Sequence, residues 1–312
     1  MTVRIATRRS ALAKWQANHV SDLLRAREPG LDVQLLELMT RGDRILDVPL
    51  AEVGGKGLFV NEIEDALLRR DAQIAVHSMK DLPAVEPPGL VIAAVPVRED
   101  PRDALCSHGK RLSELPKGAR VGTASLRRAA QLMALRPDLR IETIRGNVAT
   151  RLRKIDEGFD AVVLAHAGLR RLGLADKVVQ VFGTDEMLPA VAQGALAIEA
   201  REDDAETLRR LAPLEDRATR IQVEAERGFL RRLQGGCQVP IAGHAEVRGD
   251  AVRLRGLVAN LDGTVIIRGE RTGAVSEAAA VGEGLAEELL ARGAGEILAR
   301  IEKGPGLTAP KR

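Results

Sequence analysis

The sequence predicts an α/β protein: two blocks of alternating strands and helices, followed by a small α+β unit. Three observations carry this expectation. Residues 3–97 alternate short apolar runs with stretches of helical spacing, and residues 120–173 do so again. The charged stretch "REDPRDAL" (98–105) separates the two blocks and reads as a linker. The last third changes to period-two alternation with Gly-Asp and Asp-Gly turns, the pattern of an antiparallel meander. At 312 residues the chain exceeds one typical core, so two or three domains are expected.

In chain order, "VRIATR" (3–8) reads as a strand and 10–27 as a helix capped by Ser10. "DVQLLELM" (32–39) is the next strand. The polar, Gly-containing stretch 40–57 has no periodicity, and loops of that length are usually functional or disordered. "LFVNEIEDALLRR" (58–70) has helical spacing, and "IAVHS" (74–78) is a buried strand in a largely parallel sheet. "DLPAVEPPG" (81–89) breaks the pattern, and "LVIAAVPV" (90–97) resumes it as strand. In the second block, strands at 120–124, 140–145 and 159–165 alternate with helices at 126–136, 148–158 and 167–173. "LPAVAQGALAIEA" (188–200) is extended and rich in small residues, suited to carrying the chain back to the first block. Residues 242–273 form the meander, and helices follow at 275–293 and 294–304.

Composition excludes some function classes. Lys and Arg number 47 against 44 Asp and Glu, too near balance to indicate a nucleic-acid binder. Four Phe, one Trp and no Tyr argue against a surface that stacks bases. Two cysteines, Cys106 and Cys237, make neither a disulfide framework nor a zinc site, and the five histidines lack metal-ligand spacing, so no metal is expected. Cys106 reads as a structural thiol. "MTVRIATRRS" lacks an apolar signal region and no apolar run reaches membrane length, so a cytoplasmic protein is expected.

The basic residues are 38 Arg to 9 Lys, which reads as a coding bias or as arginines that grip carboxylates or phosphates, and several stand at helix starts. "IATRRS" brings Arg8, Arg9 and Ser10 to a strand-to-helix turn. "VGTASLRR" brings Thr123, Ser125, Arg127 and Arg128, and "IRGNVATR" brings Arg145, Asn147 and Arg151. Free backbone N–H groups and the helix dipole favour an anion at such turns, and arginine adds a fork matched to carboxylate. The plain alternative at each is a helix cap with solvated arginines. Three such turns at carboxyl ends of strands point to a cleft for a ligand with several carboxylates. No phosphate-loop motif is present. "AVHSMKDLP" (75–83) delivers Lys80 and Asp81 to a turn, as a surface pair or as a carboxylate held in a cleft. Lys56 in "GGKGLF" is a loop lysine or a lid contact. Cys237 in "LQGGCQVPIAG" sits on a Gly-Gly turn, as a reactive or a structural thiol.

The segments "RIATRRSALAKWQA", "TRGD", "GGKGLFVNEIE", "IAVHSMKDLP", "REDPRDA", "VGTASLRR", "RPDL", "RGNVATRL", "AGLRRLGL", "LPAVAQGALAIE" and "LQGGCQVPIA" run in order over nearly the whole chain. Together they resemble the porphobilinogen deaminase (hydroxymethylbilane synthase) family of tetrapyrrole biosynthesis. The resemblance implies two domains similar to type II periplasmic binding proteins, 1–97 with 195–214 and 98–194. It implies a third, 215–312, of α+β type with a three-stranded antiparallel sheet.

The implied enzyme is a transferase that condenses four porphobilinogens head to tail on a dipyrromethane cofactor. Each addition loses ammonia, and hydrolysis releases hydroxymethylbilane for uroporphyrinogen-III synthase. Cys237 matches the residue that holds the cofactor by a thioether, and Asp81 the catalytic carboxylate. Arg8, Ser10, Lys80, Thr123, Ser125, Arg127, Arg128, Arg145, Asn147, Arg151 and Arg171 match positions that hold acetate and propionate groups. Gln193 and Gly194 match hinge and cleft positions, and Lys56 and Phe59 a mobile loop. The implied protein is a cytoplasmic monomer with no nucleic-acid or membrane partner. Three positions depart from the family pattern: Arg9, Ala124 and His166. A two-lobed solute binder is the other reading of the residues, but it needs neither Cys237 nor a third domain.

Overall fold

The structure, a computed structural model, describes residues 2–40, 42, 60–234 and 239–303. Lys56, Phe59 and Cys237, and most of the 40–57 stretch, lie outside the described residues. The first block supplies β1 (Thr2–Arg8), α1 (Ala11–Arg27), β2 (Asp32–Leu38), α2 (Asn61–Leu68), β3 (Ile74–Ser78) and β4 (Leu90–Ala94). The second supplies β5 (Asp103–Ser107), β6 (Arg120–Gly122), α3 (Leu126–Leu135), β7 (Arg140–Glu142), α4 (Val148–Arg153), β8 (Ala161–Ala165), α5 (His166–Arg171) and β9 (Gln180–Val181). Then follow β10 (Leu196–Arg201), α6 (Ala205–Leu211), α7 (Arg217–Arg232), the strands β11 (Ile241–Arg248), β12 (Ala251–Ala259) and β13 (Ile266–Ala274), and the helices α8 (Ala278–Leu289) and α9 (Gly295–Lys303).

These strands form three sheets. The first has the order β2-β1-β3-β10-β4. β1 runs parallel to β2 and β3, while β10 is antiparallel to both β3 and β4, so one strand is reversed among parallel ones. The second, β7-β6-β8-β5-β9, repeats this plan with β5 reversed. The 188–200 stretch thus does return the chain to the first sheet, as β10. The third sheet is the antiparallel meander β11-β12-β13.

The pattern of burial explains the layers. Val3, Ile5, Ile74, Val76 and Ile198 face Ala17, Val20 and Leu24 of α1, while Ala6 and Ala75 face Ile63 and Leu67 of α2. Alternate residues of one strand thus feed two cores, as a sheet covered on both faces requires. In the third unit α7 and α8 pack on the meander around Phe229. A Cβ at Gly282 would stand 2.0 Å from the Ala225 carbonyl, so only glycine lets the two helices approach this closely.

Three stretches differ from the sequence reading. Residues 103–105 are not linker but the start of β5, because Asp103 is completely buried against two arginines rather than solvated. The helix expected over 148–158 ends at Arg153 and continues as tight turns, with Ile155, Asp156 and Glu157 each bonding the carbonyl three residues back. Residues 201–234, to which the sequence reading assigns no helix or strand, carry α6 and α7, capped by Asp204 and Asp216.

The segments joining the lobes are tied to the third unit by a buried ion pair. Arg98 grips Glu226 of α7 with two bonds of 2.7 and 3.0 Å. Glu226 also accepts the backbone N–H groups of Ala192 and Ala245. Burial works against this carboxylate, but Arg98 and His244 pull its pKa down to about 2. Gly194 packs so tightly on the outgoing segment that a Cβ would lie 2.2 Å from the Glu99 carbonyl.

Candidate active site between the lobes

β3 ends at Ser78, and Met79–Asp81 makes a single 3-10 turn. Buried Met79 anchors that turn; its N–H donates to the Ala195 carbonyl on the returning segment, and its carbonyl accepts from Leu82. The turn leaves Lys80 partly buried and Asp81 exposed. Lys80 Nζ donates to Gln193 Oε1 at 3.2 Å. Burial, with Arg128 assisting against Asp81 and Asp103, pushes the Lys80 pKa down to about 8.

Gln193 is completely buried and joins the lobes. Its Nε2 donates to the Pro101 carbonyl at 2.7 Å and to Asp103 Oδ1 at 2.8 Å, while Oε1 accepts from Lys80 and from Arg128 at 3.4 Å. Asp103 is the hub on the other side. It accepts from Arg127 Nη1 at 2.6 Å and from Arg128 Nε at 2.9 Å. Burial alone would raise its carboxyl, but the two guanidiniums hold it well below the usual carboxylate range. Burial in turn lowers the Arg128 pKa, against the pull of Asp103.

The strand-to-helix turns behave in two ways. Ser10, Ser125 and Asn147 accept the N–H groups of Ala13, Arg128 and Thr150, so all three are ordinary N-caps. Thr123 is buried, and its hydroxyl accepts from the Ser125 N–H. Arg127 is 4% exposed and engaged by Asp103 and the Leu188 carbonyl, so it braces the second lobe.

Arg151 differs: its charge interacts with Arg128, Asp81 and Arg145, burial lowers its pKa, and its buried Nε has no hydrogen-bond partner among the described residues. Arg171 is 9% exposed; it donates to the Gly194 carbonyl at 2.7 Å and makes no ion pair among the described residues. Burial brings its pKa to about 10, opposed by Glu99. Arg8 stands at the end of β1. His166, a departure from the family pattern, pairs with Asp100 at 3.0 Å, and Arg9 is exposed. Cys106 is buried, and burial pushes its thiol up to about 12, which makes it inert.

The geometry therefore gathers Lys80, Asp81, Arg128, Arg145 and Arg151 within reach of one another's charge. Buried guanidiniums are costly without anions, and few carboxylates face these. The orphaned Nε of Arg151, and Arg171 with no ion pair among the described residues, fit a ligand bearing several carboxylates. Asp103 and Gln193 hold the wall in place. The sequence reading passed over Asp103 because it lies in a run of charges; the signal was "DALCS", an acid opening an apolar strand.

The family model described as porphobilinogen deaminase, dipyromethane cofactor binding domain, matches residues 3–209, and that of the porphobilinogen deaminase C-terminal domain matches residues 220–291. The chain belongs to the porphobilinogen deaminase family. A curated porphobilinogen deaminase of Syntrophotalea carbinolica is 54% identical over 310 residues, covering 99% of this chain and 98% of that one. Among solved structures, the periplasmic aliphatic sulphonate binding protein SsuA of Escherichia coli is 17% identical at a TM-score of 0.40, covering 75% of this chain and 70% of its own. An ancestral cationic amino acid solute binding protein is 14% identical at a TM-score of 0.41, covering 68% of this chain and 87% of its own.

Proposed function

We propose that the chain joins four porphobilinogen units head to tail on a dipyrromethane group, with loss of ammonia at each step, and releases hydroxymethylbilane by hydrolysis. The observation that carries this reading is Asp81, an exposed carboxylate on a turn anchored by both lobes, with Lys80, Arg128 and Arg151 within reach of its charge. When bound, the dipyrromethane supplies a free pyrrole carbon for the first addition. Cys237 anchors it through sulfur.

The residues of the chain do the rest. Asp81 accepts the pyrrole N–H of the incoming unit and stabilises positive charge as ammonia leaves. The same carboxylate then takes the proton that departs from the ring carbon once the new carbon–carbon bond has formed and passes it to the freed ammonia, so each condensation releases ammonium in net. Lys80, Arg8, Arg128, Arg145, Arg151 and Arg171 bind the acetates and propionates, whose mutual repulsion would otherwise oppose packing several rings together. Arg127 and Asp103 keep Arg128 in place. Lys56 and Phe59, which lie outside the described residues, would contact the substrate as the family resemblance implies.

The sheets support a division into 1–97 with 195–214, 98–194, and 215–312. The proposed enzyme is a monomer of the cytoplasm whose product passes to uroporphyrinogen-III synthase. No helix among the described residues is long and apolar enough to cross a membrane.

Ehrlich's reagent on purified, denatured protein tests the reading. A colour from the wild type that is lost in Cys237→Ser supports it; a colourless wild type overturns it and favours the solute binder. Asp81→Asn is expected to keep the colour and lose about 10²-fold or more of turnover.

A further inference from the structure

Helix α1 meets the second lobe at one seam. Leu12 lies 3.7 Å from where a Cβ of Gly168 in α5 would stand, and the guanidinium of Arg171 lies 5.7 Å from the centroid of the Trp15 ring. His19, one turn on, stacks on Trp15 with centroids 5.0 Å apart and planes inclined by 12°. The same helix is pinned on its other side: Gln16 donates to Ser78 Oγ at 2.7 Å, three residues before Asp81. α1 therefore touches both Ser78, at the start of the turn that carries Asp81, and Arg171 of the second lobe.

Arg171 has two kinds of partner. The Gly194 carbonyl belongs to the returning segment, whereas the Trp15 ring belongs to the first lobe. A cation over an aromatic face is held by the ring quadrupole, more weakly than by a carboxylate that accepts its N–H groups. An arriving carboxylate can thus take the guanidinium from the ring without first breaking an ion pair.

We infer that Trp15 is a positioning residue: it parks Arg171 across the seam, at a set distance from Asp81, and yields it to a carboxylate of the incoming pyrrole. This inference rests on the reading that Arg171 binds such a carboxylate. Trp15 is the sole tryptophan of the chain, so it also reports the event.

The test uses the holoenzyme, with emission excited selectively at tryptophan during a single turnover with porphobilinogen, alongside steady-state kinetics. The wild-type emission is expected to change on substrate addition, and Arg171→Leu to abolish that change. Trp15→Leu should raise KM by about threefold to thirtyfold with kcat little altered, and Trp15→Phe should recover most of the loss. A purely structural Trp15 would shift the melting temperature without this split.

An unchanged wild-type emission, or a Trp15→Leu enzyme with normal KM, overturns the inference. Should Trp15→Leu fail to fold, the emission response and Trp15→Phe decide. Normal turnover in Arg171→Leu would instead sink the underlying assignment of Arg171. An impaired Arg171→Leu beside a normal Trp15→Leu sinks only the role of Trp15.

Discussion

The two lobes share a strand order, and each buries an acid on its reversed strand. In the second lobe this is Asp103 on β5, 0% exposed and clasped by Arg127 and Arg128. In the first it is Glu199 on β10, 1% exposed, 3.1 Å from His77 Nε2 on β3. Glu64 of α2 adds a further carboxyl there. Burial first, and the Glu199 charge second, push its pKa up to about 7, and its Oε1 has no hydrogen-bond partner among the described residues. An acid between guanidiniums keeps its charge at any pH the protein survives. In the first lobe the group whose charge changes near neutrality is Glu64, raised by burial and by the Glu199 charge. The second lobe is thus a fixed electropositive wall, and the first an adjustable support for the turn that bears Asp81.

The largest test of that contrast is Asp103→Asn. It leaves two buried guanidiniums facing a neutral amide and should destabilise the protein by about 3–5 kcal/mol, read from the denaturant midpoint. Glu199→Gln, which leaves His77 a neutral partner, should cost about 1–3 kcal/mol. Equal losses would break the comparison.

Next in size is the joint between the lobes. Gly194→Ala places a Cβ against the Glu99 carbonyl at φ +91° and should cost about 2 kcal/mol or more.

The pH dependence of Glu64 sharpens the contrast. Its folded pKa is raised from 4.5 to about 7, so the folded state holds the proton more tightly than the unfolded chain. The stability this provides is fully present below about pH 4.5 and is lost as pH rises through 7. Glu64→Gln should flatten that slope, by about 1 kcal/mol after allowance for solvent screening. An unchanged slope in pH-dependent denaturation would contradict the assignment.

The smallest effects belong to the surface. Arg120, paired twice with Glu142 and lying over Phe159, should lower the denaturant midpoint slightly on change to alanine, and by more than a singly paired surface arginine does. Arg70, in a single exposed pair with Asp203, should cost about 0.2 kcal/mol.

Much of the site is legible in the amino-acid sequence. Lys80 and Asp81 at the end of a buried strand, and Arg128 and Arg151 at helix starts, converge as the pattern implies. Ser10, Ser125 and Asn147 show the limit of that reading. Local sequence places a hydroxyl or amide at a helix start, and the fold shows that all three cap, a role compatible with a ligand contact as well. Arg127 and Arg128 are adjacent in sequence, and only the fold reveals that both clasp Asp103, Arg127 reaching on to the Leu188 carbonyl and Arg128 to the Val163 carbonyl.

By itself the sequence determined the strand–helix alternation, the meander and the motif set that marks the family, because periodicity, caps and turns are local properties. Tertiary structure decided the pairings across the chain: Asp103 with Arg127, Glu226 with Arg98, Trp15 with Arg171. Burial and charge partnership depend on which segments the fold brings together, and residues far apart in sequence carry no local trace of that.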